Sequence, residues 1–314
     1  TETQQKQLED NGMAAFTSQS CTDAGVTVTA EQSITDNYNS HISFKVEGFQ
    51  VEDGQQPDFG SISVLVDGKD DLNLDAGFYD GIIAGEDGMP VRASDGSSAL
   101  DEKGDMIYYY VQEDGSMEFD INMNNYSEKG FFIGKNIQVE LKDLGTVDKA
   151  EFTKTLEGAW NFEWTLGGAD TAKTYTLNQP LGASGATIQT VEISPISVYA
   201  EYNFPIQKET ITGENEDGTT SESTTFKEAP PLMGIKLKDG TVIKNMYMGG
   251  GMIGYQNNSS DDYVYAYATD RIIDPDQIAY FLFIKDISDG VQGLTEDDYY
   301  EVAVGEKSSR AIVD

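Results

Sequence analysis

The sequence predicts an all-β protein, two tandem immunoglobulin-like β-sandwiches with a short N-terminal helix. Three observations predict it. Apolar and polar residues alternate through much of the chain, as in Ile42, Phe44 and Val46 or Trp160, Phe162 and Trp164. That is the period of a half-buried strand. A strand, a break and a second strand occur at 25–49 and recur at 185–204. A strand ending Leu141-Lys142-Asp143-Leu144 recurs as Ile284-Lys285-Asp286-Ile287, each before one last strand. A repeat this long indicates a duplicated domain and not a solenoid. The matched ends place the domains at 1–168 and 169–314, joined by a short exposed link at Gly167–Thr171, with Val139 equivalent to Leu282 and Leu141 to Ile284. The alternative boundary lies near 147.

In chain order, residues 2–16 suit a helix with Leu8, Met13 and Phe16 on one side, although Gly12 weakens it. Strands are expected at 25–33, 41–49 and 61–68. The acidic, glycine-rich segment 69–105 reads as long loops with one short strand near 78–84. Asp114-Gly115 between alternating runs marks a hairpin of 106–112 with 116–123. Strands at 136–145 and 159–168 bring the count to about seven, as an immunoglobulin-like sandwich requires. The second half begins at 173–181. In the stretch 185–204 the apolar parity flips across Pro195, which cannot donate to a ladder, so the chain breaks there. Residues 207–229 form a polar insertion that reads as a mobile hairpin tip or loop. A hairpin on Asp239-Gly240 follows, then the irregular glycine-rich run MYMGGGMIGYQ, then strands at 263–269, 279–287 and 299–305.

The 314 residues carry 20 Lys+Arg against 55 Asp+Glu, a net charge of −35. Such a surface repels phosphate backbones and anionic headgroups, which argues against nucleic acid and lipid-surface partners. The single cysteine, Cys21, allows no intrachain disulfide. No apolar run is long enough to span a bilayer. The chain starts at Thr1 without an initiator methionine, and a membrane anchor is expected to precede it.

The order GVTVTAEQSITDNYNSHISFKVEG, NIQVELKDLG, Gly158-x-Trp160-x-Phe162-x-Trp164 and TIQTVEISPISVYAEYNF resembles the extracellular tandem β-sandwich region of Gram-positive single-pass membrane proteins of unknown function. Some members carry an anti-sigma-factor-like cytoplasmic segment. The resemblance implies a position on the extracellular side of a cell membrane, attached through a segment absent from this chain, and supplies no catalytic residues.

The chemistry legible in the residues is sparse. The single histidine, His41, has the outward parity of its strand, and no Gly-x-Ser-x-Gly elbow exists. Structural zinc lacks its Cys/His ligands, and carboxylate pairs are too numerous to single out a glycosidase site. Asp71, Asn73 and Asp75 have the 1-3-5 spacing of a calcium loop. Ala76 stands where the loop needs Gly and Ile82 where it needs Glu, so any calcium site here is irregular and not an EF-hand. Tyr263, Tyr265 and Tyr267 line one strand face, either as core or as a ligand-binding platform, and Trp160, Phe162 and Trp164 read as core. The expected role is a non-enzymatic extracellular sensing or interaction module without a cofactor, its partner a protein or glycan of the cell surface. The alternative is a secreted carbohydrate-binding or glycan-processing accessory protein.

Overall fold

A computed structural model describes residues 6, 8–52, 55–79, 82–84, 90–92, 110–214, 220–257, 259–286 and 294–304. The chain divides into two compact units, Thr1–Thr171 and Ala172–Asp314. Unit one contains β1 (Ala14–Asp23), β2 (Val26–Thr35), β3 (Asn39–Glu47), β4 (Gln56–Val66), β5 (Asn73–Phe78), β6 (Ile82–Ala84), β7 (Pro90–Arg92), β8 (Met117–Asn124), β9 (Asn136–Asp148) and β10 (Glu151–Thr165). Unit two contains β11 (Lys173–Pro180), β12 (Thr187–Ile193), β13 (Ser197–Asn203), β14 (Lys208–Glu214), β15 (Thr220–Phe226), β16 (Leu232–Leu237), β17 (Val242–Ile243), β18 (Tyr247–Tyr255), β19 (Asp262–Thr269), β20 (Ile278–Ile284) and β21 (Tyr299–Ala303). No helix among the described residues is long and apolar enough to cross a membrane.

Each unit is an immunoglobulin-like sandwich of two antiparallel sheets. Unit one packs β1-β2-β3-β8-β5 against β10-β9-β4. Unit two packs β11-β12-β13-β19-β18 against β17-β16-β20-β21. Setting aside the inserted pairs β6–β7 and β14–β15 and the short β17, the two orders coincide strand for strand.

The alternating apolar residues meet between the sheets. In unit one the Phe44 ring lies 5.3 Å from Phe162, and Phe59 lies 4.8 Å from Phe119 and 5.7 Å from Trp160. Trp160 is fully buried, and its indole N–H donates to the Val26 carbonyl at 3.1 Å. A Cβ on Gly158 would stand 2.8 Å from that indole, so the glycine makes room for it. Phe162 is buried too, and Trp164 is half-buried.

The turn between β2 and β3 is buried along its whole length. Asp36 accepts the backbone N–H groups of Tyr38 and Asn39 at 2.9 and 2.8 Å, and Asp36 N–H donates to Asn39 O. In unit two, Ser194 Oγ accepts the N–H groups of Ile196 and Ser197, and Ser194 N–H donates to Ser197 O. The two turns are therefore equivalent, with serine in place of aspartate.

Several expectations need correction. The described helical residues end at Asp10; Ala14 onward is strand, so Phe16 lies on β1. The run around Gly249 is not irregular but forms β18, with bulges at Tyr247/Gly249 and Gly249/Gly251. Its glycines are required: Gly250 has φ +51, and a Cβ on Gly251 would stand 2.2 Å from the Ala266 carbonyl oxygen. The polar insertion, as expected of it, forms a hairpin, β14–β15. Residues 110–112, expected as strand end, are not strand, and 106–109 lie outside the described residues. The Gly167–Thr171 link is tied to unit one: Gly168 N–H donates to Gly12 O, Asn37 Nδ2 donates to Asp170, and Thr171 Oγ1 lies 3.0 Å from Met13 Sδ.

The proposed equivalence of Val139 with Leu282 is off by one residue. Phe162, paired with Val139, reaches across to Phe44, so β9 points Ile137, Val139 and Leu141 inward. On β20 the residues that reach the opposite sheet are Phe281, 5.3 Å from Tyr175, and Phe283, 6.0 Å from Tyr202. Leu282 therefore faces outward. It is buried because its cross-strand partner is Gly234, where a Cβ would stand 2.5 Å from the Ile243 carbonyl oxygen: the chain at Ile243–Lys244 covers that face.

Trp160→Ala is expected to cost roughly 3–5 kcal/mol in chemical denaturation, and Trp164→Ala clearly less, because Trp164 is half-buried. Expressed alone, residues 1–171 should unfold in one cooperative transition. A fragment ending at 147 lacks β10 and should not, because β10 supplies Trp160 and Phe162 to the core. Fluorescence-monitored urea melts of both fragments check this.

Candidate functional site

The outward face of the β1-β2-β3-β8-β5 sheet gathers the polar and aromatic side chains that the core of unit one does not use. Cross-strand register arranges them in rows. One row runs Ile34, His41, Asn122, Asp75, and the next runs Phe16, Gln32, Ser43, Asp120. A third contains Thr29, Lys45 and Glu118. β2 bulges between Ala30 and Gln32, which leaves Glu31 exposed as an extra residue, and β1 bulges between Phe16 and Gln19. The Phe16 ring is 59% exposed, the most exposed large apolar side chain described. On this face lies an open concavity of about 480 Å³ whose lining includes Phe16, Ile34, His41, Ser43, Glu31 and Glu118.

The polar groups are specifically paired. His41 Nδ1 lies 2.7 Å from Asn122 Oδ1, and Nε2 lies 3.5 Å from Asp120 Oδ1. Ser43 Oγ donates to Glu118 Oε1 at 3.0 Å. Serine, histidine and aspartate thus share a face, but the serine proton is directed at a glutamate and not at the imidazole. That is not the order of contacts of a nucleophile, base and orienting acid. Burial pushes the Asp120 carboxyl up to about 6, against the pull of His41. Counting along from the matched turns, His41 corresponds to Tyr199, and through the pairings of β3 with β8 and β13 with β19, Asp120 corresponds to Val264. Val264 is buried, so Asp120 occupies a position that the other unit fills with an aliphatic side chain.

None of the calcium-loop or tyrosine-platform residues singled out by sequence lines this concavity, although Asp75 shares a row with His41. Asp71 precedes β5, while Asn73 and Asp75 lie on it, all exposed. An extended strand spaces same-face side chains about 6.5 Å apart, so these residues do not wrap around one point as in a calcium loop. Asn73 Nδ2 donates to Asn124 Oδ1, and the Asp71 carbonyl accepts from Asn125 Nδ2. Among the described residues no group of three or more His, Cys, Asp or Glu is placed to hold a metal ion. Tyr263, Tyr265 and Tyr267 are buried in the core of unit two and present no open platform. Tyr267 OH donates to the Leu232 carbonyl at 2.7 Å, and Tyr265 OH reaches Met233 Sδ. Their counterparts on β8 are Phe119, Ile121 and Met123, also buried, which is why the stripe is core. Burial pushes the Tyr263 and Tyr265 phenols up.

No protein-family model matches the chain, and no curated protein matches it. Among solved structures it is similar to one described as the crystal structure of the conserved domain protein from Bacillus anthracis, at 15% identity and a TM-score of 0.47, covering 89% of this chain and 82% of that one. It is also similar to the Streptococcus agalactiae AgI/II polypeptide BspA C terminal domain, at 12% identity and a TM-score of 0.14, covering 77% of this chain and 80% of that one.

The raised Asp120 value sets a pH dependence. The folded chain holds a proton here that the unfolded chain, with an ordinary value of 3.8, releases. The contribution is therefore fully present below about pH 4 and lost as pH rises through about 6. Asp120→Asn should flatten this slope and raise stability relative to wild type at pH 7.5, on the order of 1 kcal/mol. Carboxyl NMR titration should show one midpoint near 6 that vanishes in the variant.

Proposed function

We propose that this chain is a non-enzymatic interaction module on the extracellular side of a bacterial membrane, held there through a segment outside this chain. The observation that carries the reading is the outward face around Phe16. It is open, polar and centred on an aromatic ring presented to solvent, and such rimmed patches mark interaction surfaces. A half-open concavity on a rigid sheet suits a partner laid across it and not a small substrate that must be enclosed. The pairing of Ser43 with Glu118 supports binding over hydrolysis on this face. No cofactor is part of the proposal.

A second reading has one observation in its favour. Phe16 shares one cross-strand row with Gln32 and Ser43, and a flat ring in line with amide and hydroxyl groups also suits a sugar ring. That is the glycan-binding alternative.

Immobilised chain should show saturable binding to a component of the cell surface, tested with a panel of purified surface proteins and a glycan array. Phe16→Ala should weaken it several-fold while leaving the melting temperature within about 2 °C, because the ring contributes little to the core. Binding undiminished by Phe16→Ala would place the interaction elsewhere. Turnover of ester, peptide or glycoside substrates that survives repurification and disappears in a point variant would refute the non-enzymatic reading.

A further inference from the structure

We propose that the outward face of the β1-β2-β3-β8-β5 sheet binds a basic, extended polypeptide segment, seating an ammonium or guanidinium group between the Phe16 ring and the carboxylates of Glu31 and Glu118. This deepens the interaction-module reading and rests on it.

Charge selects the occupant. Glu31 and Glu118 line the concavity, and Asp120 stands in the row next to that of Glu118. The one lysine on this face, Lys45, is already engaged, with Nζ 3.3 Å from Glu47 and 3.0 Å from Asp114. His41 is engaged with Asn122 and Asp120. The fixed charge left unbalanced is therefore negative. A net charge of −35 opposes a second copy of the chain and any nucleic acid or anionic membrane. The same charge draws a basic partner in by long-range attraction.

Shape and apolar content select the kind of cation. A bare metal ion would need converging ligands, and the described residues supply no such group. Phe16 and Ile34 instead offer apolar surface beside the carboxylates. Lysine and arginine combine an aliphatic stem with a charged head, so the stem covers the ring while the head meets the acids. The volume of about 480 Å³, open along the sheet, accommodates several residues of an extended chain.

The test uses the full chain and three fluorescent probes: a short peptide alternating lysine and valine, its glutamate–valine counterpart, and cellopentaose. The lysine peptide should bind, with affinity falling as salt rises. Glu31→Gln/Glu118→Gln should weaken it roughly tenfold, and Phe16→Ala should weaken it several-fold. A control, Glu151→Gln/Glu157→Gln, removes the same charge from exposed sites on β10 and should leave binding unchanged. Equal losses in both double variants would overturn the inference, since the peptide would then be held by bulk charge. Failure of the lysine peptide to bind overturns it as well. If cellopentaose binds instead and Phe16→Ala abolishes that binding, the cationic partner is wrong while the interaction surface stands.

Discussion

Unit one depends on a carboxylate that closes a buried turn. Thr35 through Ser40 are all buried, and backbone polar groups out of water must be paired or they cost free energy comparable to a lost hydrogen bond. Asp36 resolves this by accepting two backbone N–H groups of its own turn. Once closed, the turn becomes an anchor. Thr35 N–H donates to Met13 O, Asn125 N–H to Tyr38 O, and Gly130 N–H to Asn37 O, while Asn37 holds Asp170. The N-terminal segment, the loop after β8 and the end of the unit thus all converge on one local structure. Unit two keeps the device with Ser194, a neutral hydroxyl, and uses it to receive Ile273 N–H on the Pro195 carbonyl. The N–H groups, and not the charge, dictate that an oxygen be there.

Much of this architecture was legible because strands buried on one face announce themselves by alternation. Ile42, Phe44 and Val46 of β3 and Trp160 and Phe162 of β10 do so, and the parity flip at Pro195 marks the turn between β12 and β13. Legibility failed where that condition failed. β20 is covered on both faces, its run IAYFLFI carries no parity, and the equivalence with β9 slipped by one residue. β18 hid behind glycines that read as loop but serve as bulges against Ala266. Phe16 fits the apolar side of a helix over 2–16 together with Leu8 and Met13, yet it lies on β1 and pairs with Gln32 of β2.

The candidate site was less legible than the fold for a physical reason. Its members come from β1, β2, β3 and β8, and only cross-strand register brings Phe16, Gln32, Ser43 and Asp120 into one row. The outward parity of His41 was readable. Its two partners, Asn122 and Asp120, lie about eighty residues further on and carry no local signal. A 1-3-5 spacing such as that of Asp71, Asn73 and Asp75 has one meaning in a tight loop and another in an extended strand, and Asn73 and Asp75 lie on the extended β5.

The duplication separates what the fold needs from what one unit adds. Inward positions agree in kind between the units: Phe119, Ile121 and Met123 on β8 match Tyr263, Tyr265 and Tyr267 on β19, and all six are buried. Tyrosine can replace the apolar residues because its hydroxyl reaches a partner beyond the core layer, as Tyr267 does at Leu232. The outward positions differ in kind. Where unit two has Tyr199 beside Ala266 and Glu201 beside Val264, unit one has His41 beside Asn122 and Ser43 beside Asp120. The sandwich accepts either set, so folding does not require the second one. Burial raises the Asp120 carboxyl where unit two carries Val264, so the polar set is something unit one adds and the sandwich itself does not need.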